Sequence, residues 1–182
     1  MKVLHHNDKN FAGKLRELAA QSSLFDPQIE NTAREIIEAV RARGDAAVLE
    51  FTERFDGAKL RAEQFAVTQA ELLAASVKAD ESLRAAVAEA GKNIAAFAKK
   101  SLRKNWQTRN SHGAAVGEKF DPFQRVGIYV PGGKAPLVST TLMTITLARV
   151  AGCKEIVVCT PCGRDGGINS ALLFAARAAG AT

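Results

Sequence analysis

The amino-acid sequence predicts an α/β protein. A mostly helical region with an extended arm occupies residues 1–120, and a parallel strand-helix-strand-helix unit follows over residues 121–182. Two observations carry this reading. Up to about Arg103, apolar residues recur three and four positions apart, the period of an amphipathic helix. From Arg125 compact apolar runs separated by glycine and proline take over, as in strands that alternate with helices and pair in parallel.

The elements follow in order. Leu15 and Leu18 open the helical pattern. Asp26 followed by Pro27 is a helix cap with proline at the first helical position, and Ile29, Ala33, Ile36, Ile37 and Val40 then share one apolar face. Gly44 ends that helix, and Asp45 is expected to cap the next, whose Val48, Leu49 and Phe51 face inward until Phe55-Asp56-Gly57. Arg43-Gly44-Asp45 spells an adhesion tripeptide, but a helix junction accounts for it. Phe65 to Thr68 reads as a short strand, with Thr68 capping a helix through Leu72, Leu73 and Val77. A long helix is expected from Asp80 to Leu102 on Leu83, Val87, Ile94 and Phe97. Trp106 to Asp121 alternates loosely around Gly113 and Gly117, as a hairpin or arm does. Val126 to Val130 and Glu155 to Thr160 are the two strands, the second expected to be buried on both faces. Helices follow them from Ser139 to Ala151 and from Asn169 to Ala179. Gly180-Ala181-Thr182 reads as a helix C-cap leading toward a third strand, so the chain is expected to be the front part of a longer protein or to find its neighbouring strands in other chains.

Composition narrows the function. The chain has 182 residues, 47% hydrophobic and 24% charged, which excludes disordered, collagen-like and coiled-coil classes. No apolar run approaches the length of a membrane span, and the first ten residues carry His5, His6 and charged side chains where a signal core would stand. A cytoplasmic protein without membrane contact is the expectation. The net charge of +6 permits a polyanionic partner or a phosphate-bearing cofactor. Basic residues around Phe97 and Trp106 suit a solvated helix end, and no nucleic-acid partner is expected. Cys153, Cys159 and Cys162 are an odd number of crowded thiols and make no disulfide framework.

The strongest site candidate is the turn Val126-Gly127-Ile128-Tyr129-Val130-Pro131-Gly132-Gly133-Lys134-Ala135-Pro136. Open α/β sheets place ligands at the carboxyl ends of parallel strands, and glycines let backbone amides come close to them. A P-loop fails by spacing, because Lys134 comes one residue late after Gly127 and Ala135 follows it where Ser or Thr would bind magnesium. Two readings of the turn stand, a ligand site and a turn shaped only for tightness. Ser139, Thr140 and Thr141 lie where an anion would meet a helix N-terminus, although capping and packing also suit them. Cys159-Thr160-Pro161-Cys162 has redox dithiol spacing, but its first cysteine ends a strand, and buried thiols are expected. Neither these cysteines nor His5, His6 and His112 offer zinc-ligand spacing.

The stretch Val126 to Pro136, continued through Leu137, Ser139, Thr140, Leu142 and Met143 to Ala151-Gly152, resembles the signature of the histidinol dehydrogenases. The resemblance extends back through Arg41 to Ala47, Phe55-Asp56-Gly57 and Asn93-Ile94, and forward through Lys154 to Pro161 and Ala171 to Gly180. Thr146-Leu147 stands where the family usually has Pro-Ala, and the His that often follows Phe97 is Ala98. The resemblance implies an aldehyde-dehydrogenase-like fold with an incomplete Rossmann-like parallel unit. It implies a homodimer of histidine biosynthesis that oxidises L-histidinol through the aldehyde to L-histidine and reduces NAD twice, with zinc orienting the substrate and a Glu-His pair moving protons. The zinc ligands and catalytic residues are expected beyond Thr182, so residues 1–182 alone are expected to be inactive. Among the family's cofactor contacts, one tyrosine falls within this chain, and it matches Tyr129. The contrasting expectation is a catalytically empty binding or assembly module with the same fold.

Overall fold

A computed structural model of the protein describes residues 3–20, 26–132 and 135–182. It is mixed α/β and mostly helical, with two small sheets, and its contacts divide into two compact units, Met1–Phe51 and Thr52–Thr182.

In the first unit, helix α1 spans Phe11–Ala20 and α2 spans Pro27–Arg43. Asp26 accepts the Gln28 amide at 2.9 Å, and Pro27 fills the first turn, where a missing N–H leaves no bond unmade. Gly44 ends α2 at φ 56, a backbone region costly for a residue with a Cβ. Helix α3, Asp45–Asp56, starts at once. Asp45 is therefore its first helical residue and not its cap, because the Gly44 carbonyl already accepts the Ala47 amide at 3.0 Å. Its carboxylate still lies at the positive end of the helix dipole. Arg43 and Glu50 close the junction with an ion pair of 2.6 Å. Along the apolar stripe of α2, Ile29 and Ile37 are exposed while Ile36 and Val40 are half-buried. Spacing decides which side of a helix is apolar, and burial requires a second element against it.

In the second unit no strand forms at Phe65 to Thr68. Ala62–Gln64 is a 3-10 turn, and Phe65 continues it at φ −67, ψ −37, with its amide bonded to the Ala62 carbonyl. Thr68 is extended at φ −78, ψ 157 and is the cap of α4 (Gln69–Lys78). There the Thr68 amide donates to Glu71 at 2.7 Å, and the Glu71 amide donates back to the Thr68 hydroxyl at 3.2 Å. Helix α5, Glu81–Ser101, is capped by Asp80, which accepts the Leu83 amide at 2.7 Å. Its inward line runs through Leu83, Val87, Ala90 and Ile94. Phe97 is not on that line and is 74% exposed. Ala98 takes the inward position, and one residue along a helix is a rotation of about 100°.

Strands β1 (Trp106–Arg109) and β2 (Ala115–Glu118) form an antiparallel hairpin whose residues are all exposed. Trp106 donates from its indole to Glu118 at 2.8 Å, and Asn110 shapes the turn by accepting the His112 and Ala114 amides.

Strand β3 (Arg125–Tyr129), helix α6 (Val138–Ala151), strand β4 (Glu155–Cys159) and helix α7 (Ser170–Ala179) complete the chain. β3 and β4 pair in parallel, with Arg125 opposite Glu155 and Tyr129 opposite Cys159. Asn169 caps α7 by accepting the Ala171 amide at 2.9 Å. The core joins Val87, Leu142, Ile145, Ile156 and Ala175, with Val126, Ile128 and Val158 packed against it. These strand residues alternate with Gly127 and Val157, so the helices cover one face of the sheet. The expected burial of β4 on both faces is therefore corrected: Ile156 is 2% exposed and Val157 is 41% exposed.

Candidate functional site

A cleft of about 630 Å³ opens at the carboxyl ends of β3 and β4. Tyr129 reaches it from the last position of β3 and is 66% exposed, so its ring is not packed away beneath a helix. One wall is the Pro131-Gly132 turn with Ala135 and Pro136, and the other is the loop from Thr160 to Asn169. Asp56, the last residue of α3, also lines it.

Local chemistry fixes both walls. Gly132 packs against Pro161 so closely that a Cβ would collide with the proline ring, which makes glycine a requirement at that position. The opposite loop is closed on itself. The Gly163 amide donates to the Gly167 carbonyl at 2.8 Å, and Asp165 accepts the Gly167 amide at 3.0 Å. The N-terminus of α7 is occupied by the Asn169 side chain, whereas the residue preceding α6, Leu137, offers no side-chain cap.

Cys162 is half-buried in this cleft. Burial pushes its thiol pKa up, and the nearby carboxylates of Asp56 and Asp165 push it further the same way. The thiol therefore stays protonated, opposite to the requirement for a redox nucleophile. The cysteines are not uniformly buried as expected, since Cys159 is exposed at the strand end. The described lining residues thus offer an aromatic ring, a phenol, hydroxyl and backbone groups and two carboxylates, groups suited to binding and orienting a ligand.

The other sequence candidates lie elsewhere. Thr141 is buried, and its hydroxyl donates to the Leu137 carbonyl at 3.0 Å. The Thr140 carbonyl accepts the Thr144 hydroxyl at 2.8 Å, so both residues serve the first turns of α6. Gly133 and Lys134 lie outside the described residues. That Asp56, Asp165 and Tyr129 line one cleft is not visible in spacing, because they come from distant segments. The glycine-rich run Gly163 to Gly167 was its one local signal. No described helix is long and apolar enough to cross a membrane, and no group of three or more His, Cys, Asp or Glu gathers among the described residues.

The histidinol dehydrogenase family model matches residues 19–182. The chain belongs to the histidinol dehydrogenase family. Histidinol dehydrogenase of Symbiobacterium thermophilum is 47% identical over 156 residues, covering 86% of this chain and 36% of its own. That of Syntrophotalea carbinolica is 40% identical over 180 residues, covering 99% and 42%. The crystal structure of histidinol dehydrogenase from Elizabethkingia anophelis superposes with a TM-score of 0.81 at 30% identity, covering 93% of this chain and 39% of that one. The chain thus spans less than half the length of the histidinol dehydrogenases it matches, and the resemblance read at Val126 to Pro136 is borne out at the level of the family.

Proposed function

We propose that this cleft is part of the NAD site of a histidinol dehydrogenase, and Tyr129 is the observation that carries the reading. An exposed aromatic ring at the carboxyl end of a parallel strand stands where open α/β sheets take their ligands. Its face suits a nicotinamide or adenine ring, and its hydroxyl suits a ribose or phosphate oxygen. Leu137 gives the start of α6 no side-chain cap, so the first backbone amides of that helix suit an anionic group such as a dinucleotide carries. The described residues fit that cofactor as a partial wall. NAD, when bound, supplies the hydride acceptor. This chain's part is to hold and orient it, with Tyr129 fixing one ring and the Gly132 and Gly163–Gly167 walls limiting where it sits.

Zinc is a different case. The described residues do not fit a zinc site, since no three ligand-type side chains converge. The zinc ligands and the Glu-His pair lie outside residues 1–182 in this reading. Residues 121–182 are then the first part of an incomplete Rossmann-like domain of the aldehyde-dehydrogenase type, after the helical region 1–120. The complete homodimer acts in the cytoplasm, taking L-histidinol through the aldehyde to L-histidine with two NAD.

The test is NADH absorbance with histidinol, NAD and zinc, run on the complete protein and on residues 1–182. Turnover by the complete protein alone supports the reading. Equal turnover by the segment contradicts it, as does a complete protein inactive on histidinol.

A further inference from the structure

A second cleft, about 330 Å³, lies between α5, α6 and α7. Three of its lining residues are basic and none is acidic: Arg84 and Lys92 on α5, and Arg149 on α6. Among the described residues, none of the three has a carboxylate within 4.0 Å. Arg84 is held in place by the carbonyls of Ala79 and Ser76, with its guanidinium 5.5 Å from the centre of the Phe174 ring. Its charge is therefore positioned without being neutralised.

A second, independent feature is Thr146. It is 1% exposed, lines this cleft, and among the described residues its hydroxyl has no hydrogen-bond partner. Thr141 and Thr144 on the same helix donate to the carbonyls four residues back, at 3.0 and 2.8 Å. Thr146 does not, and a buried hydroxyl is costly to leave unpaired. The cleft also has room, since a Cβ added at Gly91 meets nothing within 4 Å. Its walls include Val87 and Phe174, both apolar.

We propose that this cleft binds a small amphipathic carboxylate, with its chain along Val87 and Phe174 and its anionic end toward Lys92, Arg149 and the Thr146 hydroxyl. Unpaired cations and an orphaned donor select an oxyanion, apolar walls select the body attached to it, and the volume admits only a small ligand. This site is separate from the Tyr129 cleft, so its occupancy does not depend on the NAD reading.

The experiment is calorimetric titration of the complete protein with hexanoate, with hexanamide and inorganic phosphate as comparison ligands. Hexanoate is expected to bind at least tenfold tighter than either, with saturating NAD leaving its affinity unchanged. Thr146→Val is expected to weaken it about fivefold, and Lys92→Gln with Arg149→Gln more than tenfold. Gly91→Leu keeps every charge and the hydroxyl and only fills the room, so it reads the site even if the charge variants fold poorly, and it should abolish binding. Equal binding of hexanoate and hexanamide overturns the proposal, as does phosphate binding at least as tightly, displacement of hexanoate by NAD, or hexanoate binding that Gly91→Leu leaves unchanged.

Discussion

Thr182 is tied to Ile156 by two hydrogen bonds. Its amide donates to the Ile156 carbonyl at 3.0 Å, and its hydroxyl accepts the Ile156 amide at 2.9 Å. Ile156 is thus engaged by Thr182 on one edge of β4, while β3 pairs along the other, so both edges of β4 carry bonds. Replacing Thr182 by Ala removes the acceptor and leaves a partly buried amide unpaired. A stability loss of about 1 kcal/mol is expected in urea denaturation, and an unchanged midpoint would show that the bond contributes nothing.

Gly132→Ala places a methyl against Pro161. Overpacking of this kind costs about 1–3 kcal/mol, and here it also moves the turn beside Tyr129. The expected result is a lower melting temperature together with a raised KM for NAD in the complete protein. A normal KM with a lowered melting temperature would separate the turn from cofactor binding.

The Thr68–Glu71 capping box gives a pH dependence of defined sign. Hydrogen bonds from the Thr68 backbone and then from its hydroxyl hold the Glu71 carboxyl below its ordinary value of 4.5. The folded pKa is depressed, so the stabilisation is complete above the unfolded pKa and is lost as pH falls through the folded one. Thr68→Ala should therefore destabilise the protein at neutral pH, by about 1 kcal/mol for a lost cap. The difference from wild type should shrink as pH drops below 4.5. A difference that is flat with pH would show that the Thr68 hydroxyl does not act on the Glu71 carboxylate.

Cys162 should be slow to alkylate at neutral pH, because burial and the carboxylates of Asp56 and Asp165 keep its thiol protonated. Asp56→Asn removes one of those charges and should speed modification by iodoacetamide, read as mass added to the Cys162 peptide. No change in rate would mean that Asp56 does not act on the thiol.

Much of the fold was legible because its signals are local. Asp26-Pro27, Thr68, Asp80 and Asn169 mark helix starts through bonds to amides two or three residues ahead, and such bonds can be read from neighbouring letters. The two parallel strands were legible from their apolar runs. Misreadings arose where tertiary contacts decide. Phe97 and Ala98 are both apolar in sequence, and only packing assigns the inward place to the smaller Ala98. Val157 stands in an unbroken apolar run, yet the helices cover only the face of Ile156 and Val158. At the cleft, Tyr129 was marked by its place at a strand end, but Asp56, Asp165 and Pro161 reach it through the fold, and no spacing rule links them.

The central claim, that Tyr129 forms part of the NAD site, is tested most directly by steady-state kinetics of Tyr129→Ala and Tyr129→Phe in the complete protein, with circular dichroism to check folding. Tyr129→Ala is expected to raise the KM for NAD at least fivefold with an unaltered fold, about 1 kcal/mol of lost ring contact. Tyr129→Phe should recover the part due to the ring. A Tyr129→Ala protein that folds normally and keeps the wild-type KM for NAD would contradict it.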